Sequence, residues 1–167
     1  MLSIILDSMM EIRHITKADA ESIWRIWQEV VHEGDAFYSD ESVAKEKVID
    51  MWLSGNSWVA IVDGQVVGTY CIFPLRHGRG QHVADACYMV ASAFRHKGVG
   101  HAMGLDSIQK AKEQGFLAMQ FDCVVSTNHA AIEFGKTLGF EVCGTVPKAF
   151  RHPQLDFVDI LIMHRFL

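Results

Sequence analysis

The run Val83-Ala-Asp-Ala-Cys-Tyr-Met-Val90-Ala-Ser-Ala-Phe-Arg95-His-Lys-Gly98-Val-Gly100 passes from an apolar segment, through a glycine-punctuated turn, into a helical pattern. Val83 to Val90 reads as a strand. Beyond the turn, Val99, Met103, Ile108 and Ala111 recur at helical spacing over about 98–113, Gly115 closes the helix, and Leu117 to Val125 reads as a strand again. The result is a β-α-β unit. In the turn, Gly98 and Gly100 let the backbone come close to a ligand, and the first amides of the helix point outward toward an anion. A pyrophosphate placed there gains about 0.3–1 kcal/mol per charge from the helix end, and up to ~2 kcal/mol when partly buried. Arg95 and Lys97 add positive charge. The spacing is neither the Gly-x-Gly-x-x-Gly of a dinucleotide fold nor the Gly-Lys-Ser/Thr ending of a phosphate loop. Its pattern is Arg-x-x-Gly-x-Gly.

Working outward, Glu11 to Ile15 alternates as a strand, and Thr16-Lys-Ala-Asp19 resembles a capping box with aspartate as its acid. Ile23, Trp24, Ile26, Trp27, Val30 and Val31 then form an apolar stripe that predicts a helix over 18–32, with both tryptophans in the core. Gly34 ends it. A loop over 35–40 holds Phe37 and Tyr38, and a second helix runs from Ser42 to about Leu53, capped by Ser39 or Ser42. Asp63-Gly64-Gln65 sits between apolar runs at 58–62 and 66–73, which predicts a hairpin. Residues 76–81 form a basic, glycine-rich loop. Downstream, the spacing predicts a short helix over 130–138, a strand over 141–146, a loop over 147–157 and a last strand over 158–163. No repeat or linker interrupts the series. One α/β domain at 10–167 is expected, with a mixed sheet of six to seven strands and about four flanking helices.

At 167 residues, half of them hydrophobic and 21% charged, the chain can bury a single core and is not expected to be disordered. A net charge of −5 speaks against nucleic acid as a partner. Leu2 to Leu6 is too short to span a membrane and lacks the flanks of an export signal, so a cytoplasmic protein without a membrane partner is expected. Residues 1–9 read as an N-terminal extension. Cys71, Cys87, Cys123 and Cys143 show no metal-ligand spacing, so no metal is expected, and they read as reduced, buried core residues.

Val90 stands five residues before Arg95, and Asn128-His-Ala-Ala-Ile-Glu-Phe-Gly-Lys-Thr-Leu-Gly-Phe140 follows about thirty residues after the glycine turn. Together these blocks resemble the GCN5-related N-acetyltransferase family, and more narrowly its branch that acetylates small amino acids and their toxic analogues. The resemblance implies acetyl-CoA as co-substrate, held at a V where the strands at 83–90 and 117–125 splay apart. It assigns the pyrophosphate to Arg95, His96, Lys97, Gly98, Val99, Gly100 and His101, the pantetheine arm to the edge at Met89, Val90 and Ala91, and Asn128 to a place beside that arm. It implies acetyl transfer to a primary or secondary amine by direct attack in a ternary complex. A protein or peptide acceptor, or a CoA-binding sensor without chemistry, is the alternative reading. A homodimer is compatible with exposed strand edges.

Gly135 departs from the pattern, because that position usually carries the tyrosine that protonates the departing thiolate. Either a neighbouring side chain fills the space or another group supplies the proton. The chain's tyrosines are Tyr38, Tyr70 and Tyr88. Amine acetylation needs a base, which makes Asp122 the first candidate and Asp85 the next, with Tyr38 a further catalytic candidate. Glu29 or Glu33, Phe37, Tyr38, Asp122, Phe150 and His152 are the candidates for holding the acceptor. Arg76, Arg79 or Arg151 would pair with an acceptor carboxylate.

Overall fold

The computed structural model describes residues 10–167, so the expected extension at 1–9 lies outside the described residues. Seven strands, β1 (Met10–His14), β2 (Asn56–Val62), β3 (Gln65–Pro74), β4 (Val83–Val90), β5 (Ala118–Val125), β6 (Glu141–His152) and β7 (Asp156–Phe166), form one sheet in the order β1-β2-β3-β4-β5-β7-β6. Four helices complete the fold: α1 (Ala20–Glu33), α2 (Lys45–Ser54), α3 (Val99–Glu113) and α4 (His129–Thr137). Every neighbouring pair of strands is antiparallel except β4 and β5, which are parallel across the α3 crossover.

Alternation along the central strands sends side chains to two cores. Tyr70, Ile72, Ala84, Ala86, Met119 and Phe121 pack with Val99, Met103 and Ile108 of α3 on one face. Val59, Val66, Met89 and Ala91 pack with Ile23, Ile26, Trp27 and Val30 of α1 and with Val48 and Trp52 of α2 on the other. Trp27 is buried, whereas Trp24 stacks on it at 5.1 Å and stays partly exposed. At Gly104 of α3 a Cβ would lie 2.4 Å from a Leu138 methyl, so the missing side chain is what lets α4 seat against α3.

The capping box forms as the sequence indicates, with the Thr16 amide donating to Asp19 at 2.7 Å and Arg13 pairing with the same carboxylate at 2.8 Å. Two expectations change. The second helix begins at Lys45 and has no side-chain cap; Asp40 instead accepts from the Ser42 amide and hydroxyl in a turn ahead of it. The stretch 147–157 is also mostly strand, not loop. Register shifts between Val142 and Gly144, and again between Val146 and Phe150, break the period-2 pattern while pairing continues to His152↔Asp156. Pro147 falls inside the second shift, where a missing N–H costs no ladder bond.

β4 and β5 are paired only at Val83↔Ala118 and Ala84↔Met119, after which they diverge. On its other edge β4 stays paired with β3 from Pro74↔Ala84 to Gly68↔Val90. The splay therefore opens one edge of β4 and leaves the rest of the sheet intact. Among the described residues, no helix is long and apolar enough to cross a membrane.

Candidate functional site

The glycine turn at the mouth of the splay has the shape an anion needs. His96 and Gly98 both take left-handed conformations, with φ of 59° and 87°, which curls the peptide groups of the turn into a concave rim. The first helical bond of α3 runs from the Ala102 amide to the Gly98 carbonyl, so the amides of Val99, Gly100 and His101 precede it and have no intrahelical acceptor. Lys97 stands over the Phe94 ring at 5.1 Å. Arg95 does not face the turn's interior as a free cation. Its guanidinium holds both carboxylate oxygens of Glu33 at 2.6 and 2.7 Å, and its Nε donates to the Val90 carbonyl at 3.3 Å.

The open edge of β4 can be assigned atom by atom. The Ala91 amide donates to the Val67 carbonyl, and the Leu75 amide donates to the Val83 carbonyl. With an unbroken register between them, the odd-numbered residues of β4 direct their N–H and C=O toward β3, and Ala86, Tyr88 and Val90 direct theirs toward the splay. Of Met89, Val90 and Ala91, only Val90 offers its backbone to the splay. Tyr88 joins it, and sequence alternation alone could not say which parity was free.

On the α1/α2 face of the diverging strands lies a polar group drawn from β4, β5 and the loop after β3. Asp122 of β5 accepts from Gln120 at 3.0 Å and faces an Arg76 guanidinium nitrogen at 3.4 Å. Asp85 of β4 is partly buried; its carboxylate accepts from the Ala86 amide at 2.7 Å. Desolvation pushes the Asp85 carboxyl up to about 7 against the downward pull of that hydrogen bond, with smaller opposing effects from Asp122, upward, and Arg76, downward. One carboxyl thus faces a guanidinium, and the other is pushed toward neutrality.

Tyr38 approaches this group from the α1–α2 loop. Its ring is 5.8 Å from Phe150 of β6, and its hydroxyl neighbours the Cys123 thiol of β5. Desolvation first, and the neighbouring Cys123 second, push the phenol up to about 12, so it stays protonated at neutral pH. Tyr70 and Tyr88 face the other side of the sheet, bonded to Asp106 and Ser107 of α3. Tyr38 is the tyrosine on the side of the acid cluster.

Several residues read as ligand contacts also hold parts of the fold together. Asn128 caps α4 by accepting from the Ala131 amide at 2.9 Å, and its amide nitrogen donates to the Asp35 carbonyl at 3.2 Å, which ties the loop bearing Phe37 and Tyr38 to α4. Glu29 accepts from the Ser92 amide at 2.7 Å. His152 accepts through Nδ1 from the Gln154 and Leu155 amides, fixing the β6–β7 turn. That turn lies over the end of α1, where a Cβ on Gly34 would be 2.6 Å from Pro153 Cγ. Phe37 packs with the α1/α2 core. At Gly135 a Cβ would lie 2.8 Å from Met163 Cε, so Met163 fills the space left by the missing side chain. Cys143 is exposed on β6, contrary to the expectation that all four cysteines are buried, because the β6 residues around it face solvent.

Comparison with known proteins agrees with this arrangement. The model of the acetyltransferase (GNAT) family matches residues 20–140. An L-amino acid N-acetyltransferase, AaaT, of Escherichia coli (strain K12) is 28% identical over 95% of this chain and 98% of its own length. A GCN5-related N-acetyltransferase from Kribbella flavida superposes with a TM-score of 0.91 at 39% identity, covering 96% of this chain and 99% of that one. A ribosomal-protein-alanine N-acetyltransferase from Brucella melitensis superposes with a TM-score of 0.85 at 28% identity, covering 94% and 99%.

Proposed function

The chain belongs to the GNAT acetyltransferase family, and from that premise we propose that it acetylates the α-amine of a small amino-acid-like molecule by direct attack in a ternary complex. The protein is an acetyl-CoA-dependent N-acetyltransferase; acetyl-CoA supplies the activated thioester. The turn at 95–101 suits its pyrophosphate, and the Tyr88 and Val90 backbone suits its pantetheine arm as an added strand would.

The observation that carries the acceptor reading is the Asp85–Asp122–Arg76 group beside the open edge of β4. A carboxyl near 7 matches an α-amine, whose deprotonation at neutral pH costs about 1.4 kcal/mol, better than a side-chain amine, which costs about 4 kcal/mol. In this reading Asp85 takes the ammonium proton, and Asp122 and Gln120 orient the nitrogen. Arg76 receives the acceptor's carboxylate in place of part of its contact with Asp122. The Val90 amide faces the developing oxyanion. Tyr38 returns a proton to the departing thiolate, the task left open by Gly135.

The E. coli relative acts on L-amino acids and the Brucella one on a ribosomal-protein alanine; both acceptors present an α-amine. Arg76 and the β6–β7 turn lying over Gly34 favour the free amino acid. The test is an acetyl-CoA consumption screen over amino acids, their amides, polyamines and peptides. Turnover on free amino acids but not on the matching amides is expected. Preference for amides or peptides would move the acceptor to a protein N-terminus.

A further inference from the structure

We propose that Cys71 and Cys87 form a peroxide-sensitive dithiol that closes into a cross-strand disulfide on the floor of the α1/α2 face. The two residues are direct partners in the β3–β4 register, so their side chains stand opposite each other on the same face of the sheet. Both are partly buried against the α1/α2 core and retain some exposure. The catalytic scheme above uses neither.

The backbone parity that frees Val90 also makes Cys71 and Cys87 a hydrogen-bonded pair, for which Cα atoms lie about 5.5 Å apart. That separation falls inside the roughly 4.4–6.8 Å span of disulfides. The Cβ atoms of directly opposed residues sit about 4.5–5.5 Å apart, whereas a disulfide brings them to about 3.8 Å. Closure therefore draws the strands together and stores strain, which places the bond among the readily reduced disulfides and not the permanent structural ones.

The two thiols divide the work. The neighbouring Cys87 thiol draws the Cys71 thiol down, and Cys71, together with burial, pushes Cys87 well up. The Cys71 thiolate attacks one oxygen of hydrogen peroxide, the O–O bond breaks, and the departing hydroxide takes a proton to leave as water. Cys87 sulfur then attacks the resulting Cys71 sulfenic acid. The S–O bond breaks and a second water leaves with the Cys87 proton. Two thiols and one peroxide become one disulfide and two waters. Cys123 has a different neighbour, the Tyr38 hydroxyl, and Cys143 sits on β6 near the Ile162 carbonyl.

Tryptic cleavage puts Cys71 in the peptide 48–76, Cys87 in 80–95, Cys123 in 113–136 and Cys143 in 137–148, so every pairing is distinguishable. The full chain is treated with hydrogen peroxide, its remaining thiols are alkylated, and the unreduced digest is mapped by mass spectrometry. A link between 48–76 and 80–95 is expected, with an intact-mass loss of about 2 Da that dithiothreitol reverses. The link persists in a Cys123→Ser/Cys143→Ser variant and vanishes in Cys71→Ser. A link from Cys87 to Cys123, or sulfinic acid at Cys71 without any cross-link, overturns the proposal. None of these readouts depends on the acceptor.

Discussion

Replacing Asp85 by asparagine separates what the carboxyl does for chemistry from what it costs the fold. In the native protein this group is pushed up to about 7 from the ordinary 3.8, mainly by burial. Between those values the folded state holds a proton that the unfolded chain has released, so stability falls as pH rises from about 4 to 7. Roughly three pK units at 1.36 kcal/mol each set a ceiling of about 4 kcal/mol on that loss. Asparagine cannot titrate, and its own amide contributes equally at every pH. The stability difference between Asp85→Asn and the native protein should therefore move in favour of the variant by about 2–4 kcal/mol from pH 4 to pH 8, read from urea midpoints and slopes. In the same variant turnover should fall by about 10²–10⁴, and the rise in kcat/KM centred near 7 should disappear. Acetyl-CoA affinity by calorimetry should be unchanged. A stability difference flat with pH would refute the buried-carboxyl reading, and full activity would transfer the base to Asp122.

Gly98→Glu should weaken acetyl-CoA binding by more than about tenfold, since a carboxylate replaces an open rim at the helix end and a left-handed φ of 87° is imposed on a side chain that resists it; unchanged calorimetric affinity would remove the pyrophosphate assignment. Tyr38→Phe should lower turnover about 10–100-fold while leaving the acetyl-CoA dissociation constant alone, and full activity would take the acid away from this loop. Gly135→Ala should destabilise by about 1–3 kcal/mol through overpacking against Met163, with no gain in turnover from a longer side chain there, and an unchanged urea midpoint would contradict that contact.

The glycine turn, the β-α-β unit and the capping box at Thr16 were legible because each depends on neighbours in sequence. The strand at 147–157 was not, because two bulges shift the alternation and the evidence for pairing lies on β7. The different surroundings of Asp122 and Asp85 were also hidden. Which of them loses water, and which meets Arg76 from a loop 46 positions earlier in the chain, is decided by the sheet and not by either residue's surroundings in sequence. The same holds for the free edge of β4: its parity follows from the β3 register, fixed through the Ala91–Val67 bond.

Arg95 and Asn128 also tie separate elements of the fold together. Arg95 lies within the glycine turn, yet its charge is spent on Glu33 at the end of α1 and on the Val90 carbonyl at the splay. Glu29, one helical turn earlier, holds the Ser92 amide just ahead of the turn. Asn128 holds Asp35, immediately past α1, to the start of α4. These contacts join the C-terminal half of α1 and its following loop to both sides of the splay. A partly exposed Arg–Glu pair contributes little to global stability, commonly below about 1 kcal/mol. Its consequence is positional: with the Asn128–Asp35 contact it ties the end of α1 and the loop carrying Tyr38 to the glycine turn and to the start of α4. Helix α1 and the Arg-x-x-Gly-x-Gly turn are separate in sequence, and the fold brings them together through Glu33–Arg95 and Glu29–Ser92.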